Sequence, residues 1–188
     1  MVMDEKMDHG PLLAQEKLST DDTDTATTLT TKLTELSFEM LSKIIPQLLI
    51  TDNRLPITKQ DHNFATFARF LTRDDGFISL EILKKALKGE QVELSELPNI
   101  FQWYLAHNQS SAISRQPSAT DIVDRMFRAL SPWPGIWTLV EINGQSKRLI
   151  LKQVTKSNNQ LTINKVQLEG KNEVDFESFL KVYPLGSL

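Results

Sequence analysis

Cysteine is absent from the 188 residues, which excludes both a disulfide framework and a zinc site with thiolate ligands. Long apolar runs are absent too. The longest is the short stretch IIPQLLI, far below the roughly 18 residues that a membrane span needs. The first residues, MVMDEK, are acidic where an export signal is basic. We therefore expect no export signal, no membrane anchor and a cytoplasmic location.

A strong charge of one sign is also missing, since 21 basic and 24 acidic residues give a net charge of −3. This balance gives no general indication of a nucleic-acid or membrane partner. The charge is unevenly distributed, however. Residues 1–120 contain 12 basic and 17 acidic residues, whereas residues 121–188 contain 9 and 7. The carboxy-terminal third is therefore the more basic part of the chain.

A regular apolar stripe predicts a long amphipathic helix in the amino-terminal quarter, because its members recur every three or four residues. Asp24 or Thr25 is expected to cap its start. Ahead of this helix, short apolar patches around the motif DHGP predict a strand, a Gly-Pro break and a second extended segment over residues 2–18. The stripe consists of Leu29, Leu33, Leu36, Met40, Ile44 and Leu48.

Two further segments carry clear helix boundaries. Ser79 and Gly89 bracket a short predicted helix as its cap and its stop. SELPNIFQWYLAHN predicts another. In SATDIVDRMFRAL, Ser118 and Asp121 form a capping box ahead of an apolar face. In the same segment the acid-first spacing of Asp121 with Arg125, and of Asp124 with Arg128, predicts two ion pairs.

The period of the sequence changes after the corner SPWPG. An extended run, an Asn143-Gly144 pair and a second extended run predict a β-hairpin. NNQLTINKVQLEGK predicts a further strand or two, and VDFESFLKVYP a short helix capped by Asp175. Trp133 and Trp137 are expected to pack in the core at the corner, with base stacking as the alternative. Helices followed by hairpin-linked strands predict an α+β chain that ends in a small β-barrel.

Two distant motifs, MDHGPLLAQ near the start and RALSPWPGIWT with VQLEGK near the end, resemble methionyl-tRNA formyltransferase. DTATTLTTKL and QDHNFATFARFLTRDDGFIS, which lie between them, are similar to that family as well. The family has a doubly wound α/β formyltransferase domain followed by a domain that resembles an OB-fold. The resemblance implies that residues 1–50 are the remnant of the catalytic domain, 51–117 a helical linker and 118–188 the OB-like β-barrel. Residues from about 81 to 117 look like an insertion in the linker.

The resemblance places Asp8 at the position of the family's catalytic aspartate, which would assist proton transfer at the reacting amine. The family combines this aspartate with an Asn-x-His segment. No histidine of this chain lies two residues after an asparagine, so most of the transition-state stabilisation is missing. His9, His62 and His107 are expected to be solvated or isolated, and we predict no metal site. Without the resemblance, Asp8 reads as a turn residue before Gly10-Pro11.

The resemblance implies initiator methionyl-tRNA as the partner and 10-formyltetrahydrofolate as the formyl donor of the complete enzyme, with no donor bound by this chain alone. Basic residues between positions 147 and 171 are opposed in sequence only by Glu169 and are candidates to contact phosphates. A solvated charged face is the alternative for each of them. The candidate tRNA contacts are Arg128, Lys147, Arg148, Lys152, Lys165 and Lys171, with Lys156 in the same patch.

Three interpretations of function remain open. The first is a fragment or split half of a methionyl-tRNA formyltransferase, inactive alone and completed by a chain that carries the missing catalytic half. The second is a non-catalytic, stand-alone tRNA-binding module. The third is a formyltransferase-like protein with another amine acceptor, such as an amino sugar. Because truncation removes their sheet, residues 1–50 are expected to be aggregation-prone or loosely ordered.

Overall fold

The computed structural model describes residues 1–50, 56–66, 68–107 and 117–184. These residues belong to two compact units, Met1–Arg69 and Phe70–Leu188. Helices and antiparallel strands are both present, so the α+β prediction is confirmed. The described helices are α1 (Ala26–Ile50), α2 (Leu80–Lys88), α3 (Asn99–His107), α4 (Ala119–Leu130) and α5 (Phe176–Val182). The described strands are β1 (Ile136–Ile142), β2 (Gln145–Ser157), β3 (Gln160–Leu168) and β4 (Glu173–Asp175).

Helix α1 dominates the amino-terminal unit and begins where the sequence predicts. The backbone N–H of Thr28 donates to the hydroxyl of Thr25 (3.1 Å), so Thr25 caps the helix. Most of the predicted stripe is half-buried, but no residue of α1 is fully buried, and Leu33 remains 45% exposed. None of the helices formed by the described residues is long and apolar enough to span a membrane.

The strand predicted within residues 2–18 is wrong. The backbone folds back on itself instead, and the N–H of Val2 donates to the carbonyl of Pro11 (2.8 Å). The extended conformation is stabilised at one place, where Leu12 and Thr58 form an isolated antiparallel bridge. A strand needs a continuous neighbour for its N–H and C=O groups, and residues 1–50 and 56–66 supply only this bridge.

A four-stranded antiparallel meander, in the order β1-β2-β3-β4, organises the carboxy-terminal unit. The Asn143-Gly144 turn joins β1 to β2 as predicted, with both residues at positive φ (52° and 73°). Asn158 and Asn159 form a second two-residue turn of the same kind between β2 and β3. The predicted barrel is not closed, since each described strand pairs only with its neighbours in sequence.

Helices α2 and α4 pack against each other and against this sheet. Both begin at the predicted serine caps: Ser79 accepts from the N–H of Ile82, and Ser118 from that of Asp121. Gly89 ends α2 in the left-handed conformation, also as predicted. The helix predicted within VDFESFLKVYP is α5 and follows Asp175, but the Asp175 side chain makes no capping hydrogen bond.

Part of the segment interpreted as an insertion belongs to the main core. Ile82, Leu83 and Ala86 of α2 and the following Val92 are buried at 3% exposure or less. Their buried neighbours include Val123 of α4 and residues of β1, β2 and β3. Helix α2 is therefore part of the core that covers the sheet.

A buried hydroxyl joins three elements of this core. The Thr120 side chain of α4 is completely buried, and its hydroxyl lies within hydrogen-bonding distance of the carbonyls of Ala86 (2.8 Å) and Asn159 (2.9 Å). The tip of the β2–β3 hairpin thereby contacts the end of α2. Gly89 is needed at this contact because a Cβ there would lie 2.8 Å from the Asn159 carbonyl oxygen.

Candidate functional site

Asp8 lies in an exposed turn that a distant side chain stabilises. The amide nitrogen of Gln60 donates to the carbonyls of Asp8 (2.9 Å) and Gly10 (2.7 Å). Asp8 itself has φ +55°, a left-handed conformation that aspartate tolerates better than most residues. Its side chain is exposed and has no hydrogen-bond partner in the described part of the chain. Sequence analysis did not identify Gln60, whose only signal was its place at the start of QDHNFATFARFLTRDDGFIS, a segment that resembles the family.

The histidines are not isolated as predicted. His9 shares a hydrogen bond of 2.6 Å with the Asp4 carboxylate, and its ring stacks on that of His62 with centroids 3.9 Å apart. This hydrogen bond, together with the N–H of Lys6, lowers the pKa of Asp4. His107 stacks on Trp103. Among the described residues, no group of three or more His, Asp or Glu side chains is arranged to hold a metal ion.

Two segments singled out in the sequence, RDDGFIS and PWPGIWT, meet in the carboxy-terminal unit. The backbone N–H of Ile78 donates to the carbonyl of Trp137 (2.9 Å), and the Trp137 indole donates to the carbonyl of Arg73 (2.9 Å). Gly76 lies directly against the carbonyl of Gly135, where any side chain would collide. The segment before α2 therefore runs beside β1 and fixes the Pro-Trp-Pro corner.

The carboxylate of Asp75 stabilises this segment from within. It is buried, and it accepts from both the backbone N–H (2.6 Å) and the hydroxyl (3.1 Å) of Thr72. This capping box closes the short 3₁₀ turn that presents Gly76 to the corner.

Arg148 stacks over Trp137, with its guanidinium carbon 4.6 Å from the ring centroid. This is a cation–π contact, in which the cation lies on the negative face of the ring. The Nε of Arg148 is buried and has no hydrogen-bond partner among the described residues. Trp137 is half-buried between this contact and Phe77, so the predicted packing at the corner holds for this tryptophan.

Trp133 contradicts the same prediction. Its side chain is 60% exposed at the corner between α4 and β1. The corner fixes the backbone, because the N–H of Gly135 donates to the carbonyl of Leu130 (2.8 Å). A large aromatic ring therefore projects from a stabilised backbone into solvent.

Three of the candidate basic residues have acidic partners that lie outside the segment 147–171. Arg128 pairs with Asp124 (3.0 Å), and Lys165 pairs with Glu173 (3.3 Å). Asp121 pairs with Lys156 and not with Arg125, so one of the two ion pairs predicted within the helix is replaced. Burial raises the pKa of Asp121, but hydrogen bonds from Lys156 and Ser118 outweigh it and leave the pKa lowered. Counting charges along the sequence could not reveal these partners.

Lys147, Lys152 and Lys171 remain besides Arg148, which stacks on Trp137. None of the three makes an ion pair with another described residue. Lys171 follows the turn at Gly170, and Glu169 in that turn donates its N–H to the carbonyl of Arg148 (2.9 Å). These contacts bring Lys147, Arg148 and Lys171 to one end of the sheet.

The seven basic candidates do not form one compact patch. Lys156 lies near the opposite end of β2, eight residues from Arg148, which corresponds to about 26 Å along a strand. Lys152 occupies the irregular pairing between Leu151 and Gln153 in the middle of the strand. The cations are therefore spread along a strip, which suits a long polyanion better than a single small anion.

An apolar cavity of about 350 Å³ lies between α3 and α4. Arg125 is the charged residue in its lining, and Tyr104 is half-exposed beside it. The remaining lining residues are Ile100, Phe101, Met126, Ala129 and Leu130.

No protein-family model matches the sequence. The chain is similar to curated methionyl-tRNA formyltransferases from several bacteria. It is 27% identical to that of Chloroflexus aurantiacus over 157 residues, which cover 84% of this chain and 38% of the relative. It is 28% identical to that of Bacillus cytotoxicus over 181 residues, which cover 96% of this chain and 52% of the relative. It is 28% identical to that of Dictyoglomus turgidum over 193 residues, which cover 98% of this chain and 54% of the relative.

The chain spans about half or less of the length of these relatives. The part that it matches is carboxy-terminal. The contacts between RDDGFIS and PWPGIWT thus join two of the segments that carried the resemblance. Over most of its length, the chain is similar to the carboxy-terminal part of methionyl-tRNA formyltransferases.

Proposed function

We propose that this chain acts as the tRNA-binding part of a methionyl-tRNA formyltransferase. In the parent reaction, the formyl group of 10-formyltetrahydrofolate passes to the amino group of initiator methionyl-tRNA in translation initiation, in the cytoplasm. The observation that carries the proposal is the similarity to methionyl-tRNA formyltransferases over 84–98% of this chain. Residues 1–50 are then the end of the catalytic domain, 51–117 the linker, and 118–188 an open version of the OB-like domain.

The surroundings of Asp8 do not fit the formyl donor. The Asp8 side chain is exposed, and the sequence contains no Asn-x-His segment to stabilise the oxyanion or move the proton. The adjacent His9 is already hydrogen-bonded to Asp4 and stacked on His62. We therefore assign donor binding and most of the chemistry to a chain that supplies the missing catalytic half, with Asp8 contributed to the joint site.

The basic strip supports the binding part of the proposal. Lys147, Lys152 and Lys171 make no ion pairs within the described residues, so neutralising phosphates would not cost them an existing partner. Each phosphate contact releases counterions, and three to six contacts predict a log–log salt slope between about −2 and −6. The backbone rather than the base sequence would be recognised by these lysines.

The first experiment is a formylation assay with methionyl-tRNA and 10-formyltetrahydrofolate. The chain alone is expected to show no transfer above background, and transfer should appear when the separately produced amino-terminal part of a relative is added. Asp8→Asn should abolish the restored transfer without changing tRNA affinity. No transfer in the mixture, combined with tight salt-dependent tRNA binding, would instead establish the stand-alone binding module.

The binding module is the second candidate because Asp8 is solvent-exposed and lacks its family partners in this sequence. A salt titration of tRNA affinity tests the feature that both candidates share. Affinity that stays flat from about 50 to 200 mM salt would contradict both of them, since the basic strip would then not contact phosphates. Transfer to an amino sugar rather than to methionyl-tRNA would support the third interpretation.

A further inference from the structure

Trp133 is an exposed aromatic residue of the carboxy-terminal unit. The described part of the chain gives its side chain no ring contact and no hydrogen bond, and 60% of it is exposed. Trp137, four residues later, has an indole hydrogen bond and a guanidinium on its face. The two tryptophans of one corner therefore differ in role: Trp137 fixes the corner, and Trp133 has a free face.

Exposing a tryptophan to water is unfavourable, because the ring has more apolar area than almost any other side chain. The backbone around Trp133 is stabilised by the Gly135–Leu130 hydrogen bond and by the close approach of Gly76 to Gly135. A ring on such a backbone loses little conformational entropy when something flat is placed on it. The geometry therefore suits a stacking platform.

The charges nearby indicate what would stack. Ile136, the first residue of β1, pairs with Leu151, so Lys152 in the middle of β2 follows the residue that pairs with the start of β1, directly after the corner. Lys152 is exposed and has no ion pair with a described residue. Arg128, in the last turn of α4, lies three residues before the corner. An exposed aromatic ring with cations on the adjoining elements is a combination that binds single-stranded nucleic acid, where bases stack and phosphates are neutralised.

We propose that Trp133 stacks on an unpaired nucleobase of the bound RNA while Lys152 contacts a phosphate next to it. This inference rests on the proposed tRNA-binding function and adds to it a contact with a base face. Because paired bases are already stacked within the helix, the base must come from a loop or a single-stranded end. The contact tolerates any base identity, since each base has a π-face.

Trp133→Leu and Trp133→Phe separate stacking from general apolar contact. Affinity is measured for an initiator tRNA transcript and for a fully paired RNA duplex over the same salt series. Trp133→Leu should weaken tRNA binding about 5- to 100-fold at every salt concentration and leave the salt slope unchanged. Trp133→Phe should keep most of the affinity, and duplex binding should not change for either variant.

Two controls test the assignment. Phe64→Leu removes an 82% exposed ring from the other unit and should leave tRNA affinity unchanged. Lys152→Gln should reduce the salt slope by about 1. Equal tRNA affinity of the wild-type chain and Trp133→Leu would overturn the inference alone and assign the ring to a different class of partner. Equal losses on tRNA and duplex would overturn it as well, and absence of wild-type tRNA binding would overturn both it and the proposed function.

Discussion

Gly76 approaches Gly135 so closely that a Cβ built at position 76 would stand 1.8 Å from the Gly135 carbonyl oxygen. The atoms nearest to this Cβ position belong to the Gly135 backbone, so no flexible side chain could move away to make room. The contact joins the segment before α2 to the corner, and Gly135 directly precedes β1.

Gly76→Ala should therefore destabilise the carboxy-terminal unit by at least about 1–3 kcal/mol, because the corner must shift to admit one methyl group. The free energy of unfolding from urea titration measures this. Gly144→Ala is the matched control, since nothing lies within 4 Å of its added Cβ and only the positive φ of 73° opposes it. That control should cost about 1–2 kcal/mol. A smaller loss for Gly76→Ala than for the control would disprove the tight contact.

Asp121 is expected to make stability depend on pH. Its pKa is lowered in the folded state, so the ionised form stabilises the fold above the unfolded pKa of about 3.9. This contribution disappears as the pH falls through the folded pKa. Asp121→Asn should cost below about 1 kcal/mol at pH 7, because the side chain is about one-third exposed, and nothing near pH 2. Lys156→Gln should give the same pH profile, and a loss that persists at pH 2 would assign the effect to the Ser118 cap.

Removing the Thr120 hydroxyl should take away the single O–H donor that the carbonyls of Ala86 and Asn159 share. Thr120→Val keeps the shape of the side chain and should cost about 1–3 kcal/mol. Thr120→Ser keeps the hydroxyl and its hydrogen bond, so the free energy of unfolding should fall less than in Thr120→Val, although the missing methyl group leaves a small cavity. Chemical denaturation compares the two. Amide exchange at Asn159 and Gly89 should accelerate only in the valine variant, and unchanged exchange there would show that the hydroxyl does not hold the hairpin tip.

The unpaired and paired lysines should respond differently to neutralisation. Lys171→Gln is expected to reduce the salt slope of tRNA binding by about 1, because it loses one phosphate contact. Lys165→Gln should have a smaller effect, since Glu173 already neutralises part of its charge. Filter binding between 50 and 200 mM salt measures both slopes. Identical slopes for the two variants would mean that the ion pair with Glu173 opens when RNA binds.

The outer face of α1 should control the solubility of the chain. Phe38, Leu41 and Leu49 are 73%, 53% and 80% exposed on this helix. Leu49→Lys should therefore reduce aggregation and change the free energy of unfolding by no more than about 0.5 kcal/mol. The control is Leu36→Lys in the half-buried stripe, which should destabilise the amino-terminal unit. Light scattering and thermal unfolding distinguish the two, and unchanged scattering for Leu49→Lys would contradict the interpretation.

Local signals in the sequence were sufficient for the helices and the first hairpin. Ser79, Gly89 and Ser118 act within one helical turn, and Asn143-Gly144 within one hairpin, so neighbouring residues contain the information. The Asn158-Asn159 turn carried a signal of the same kind, since asparagine tolerates positive φ. Its position between two polar runs concealed it.

Contacts between distant residues could not be predicted in the same way. The hydrogen bonds Gln60–Asp8 and Trp137–Arg73 join residues that are 52 and 64 positions apart. A local sequence pattern does not indicate which distant residues will meet. The same limit explains the basic strip. Its segment looked nearly free of acids, but Asp121 and Glu173 approach from flanking elements. The strand predicted near residue 2 failed because periodicity describes a side-chain pattern and not the presence of a partner.

The contact between the hairpin tip and the end of α2 also has a consequence during synthesis of the chain. Asn159 and Gly89 are 70 residues apart, so at about 5–20 residues per second the ribosome makes the second residue roughly 4–14 s after the first. During this interval the apolar side of α2 has no sheet to cover it. Until β2 and β3 have left the exit tunnel, Ile82, Leu83 and Ala86 lack the cover of these strands, and α4 and β1 are the partners of α2 that are made before them.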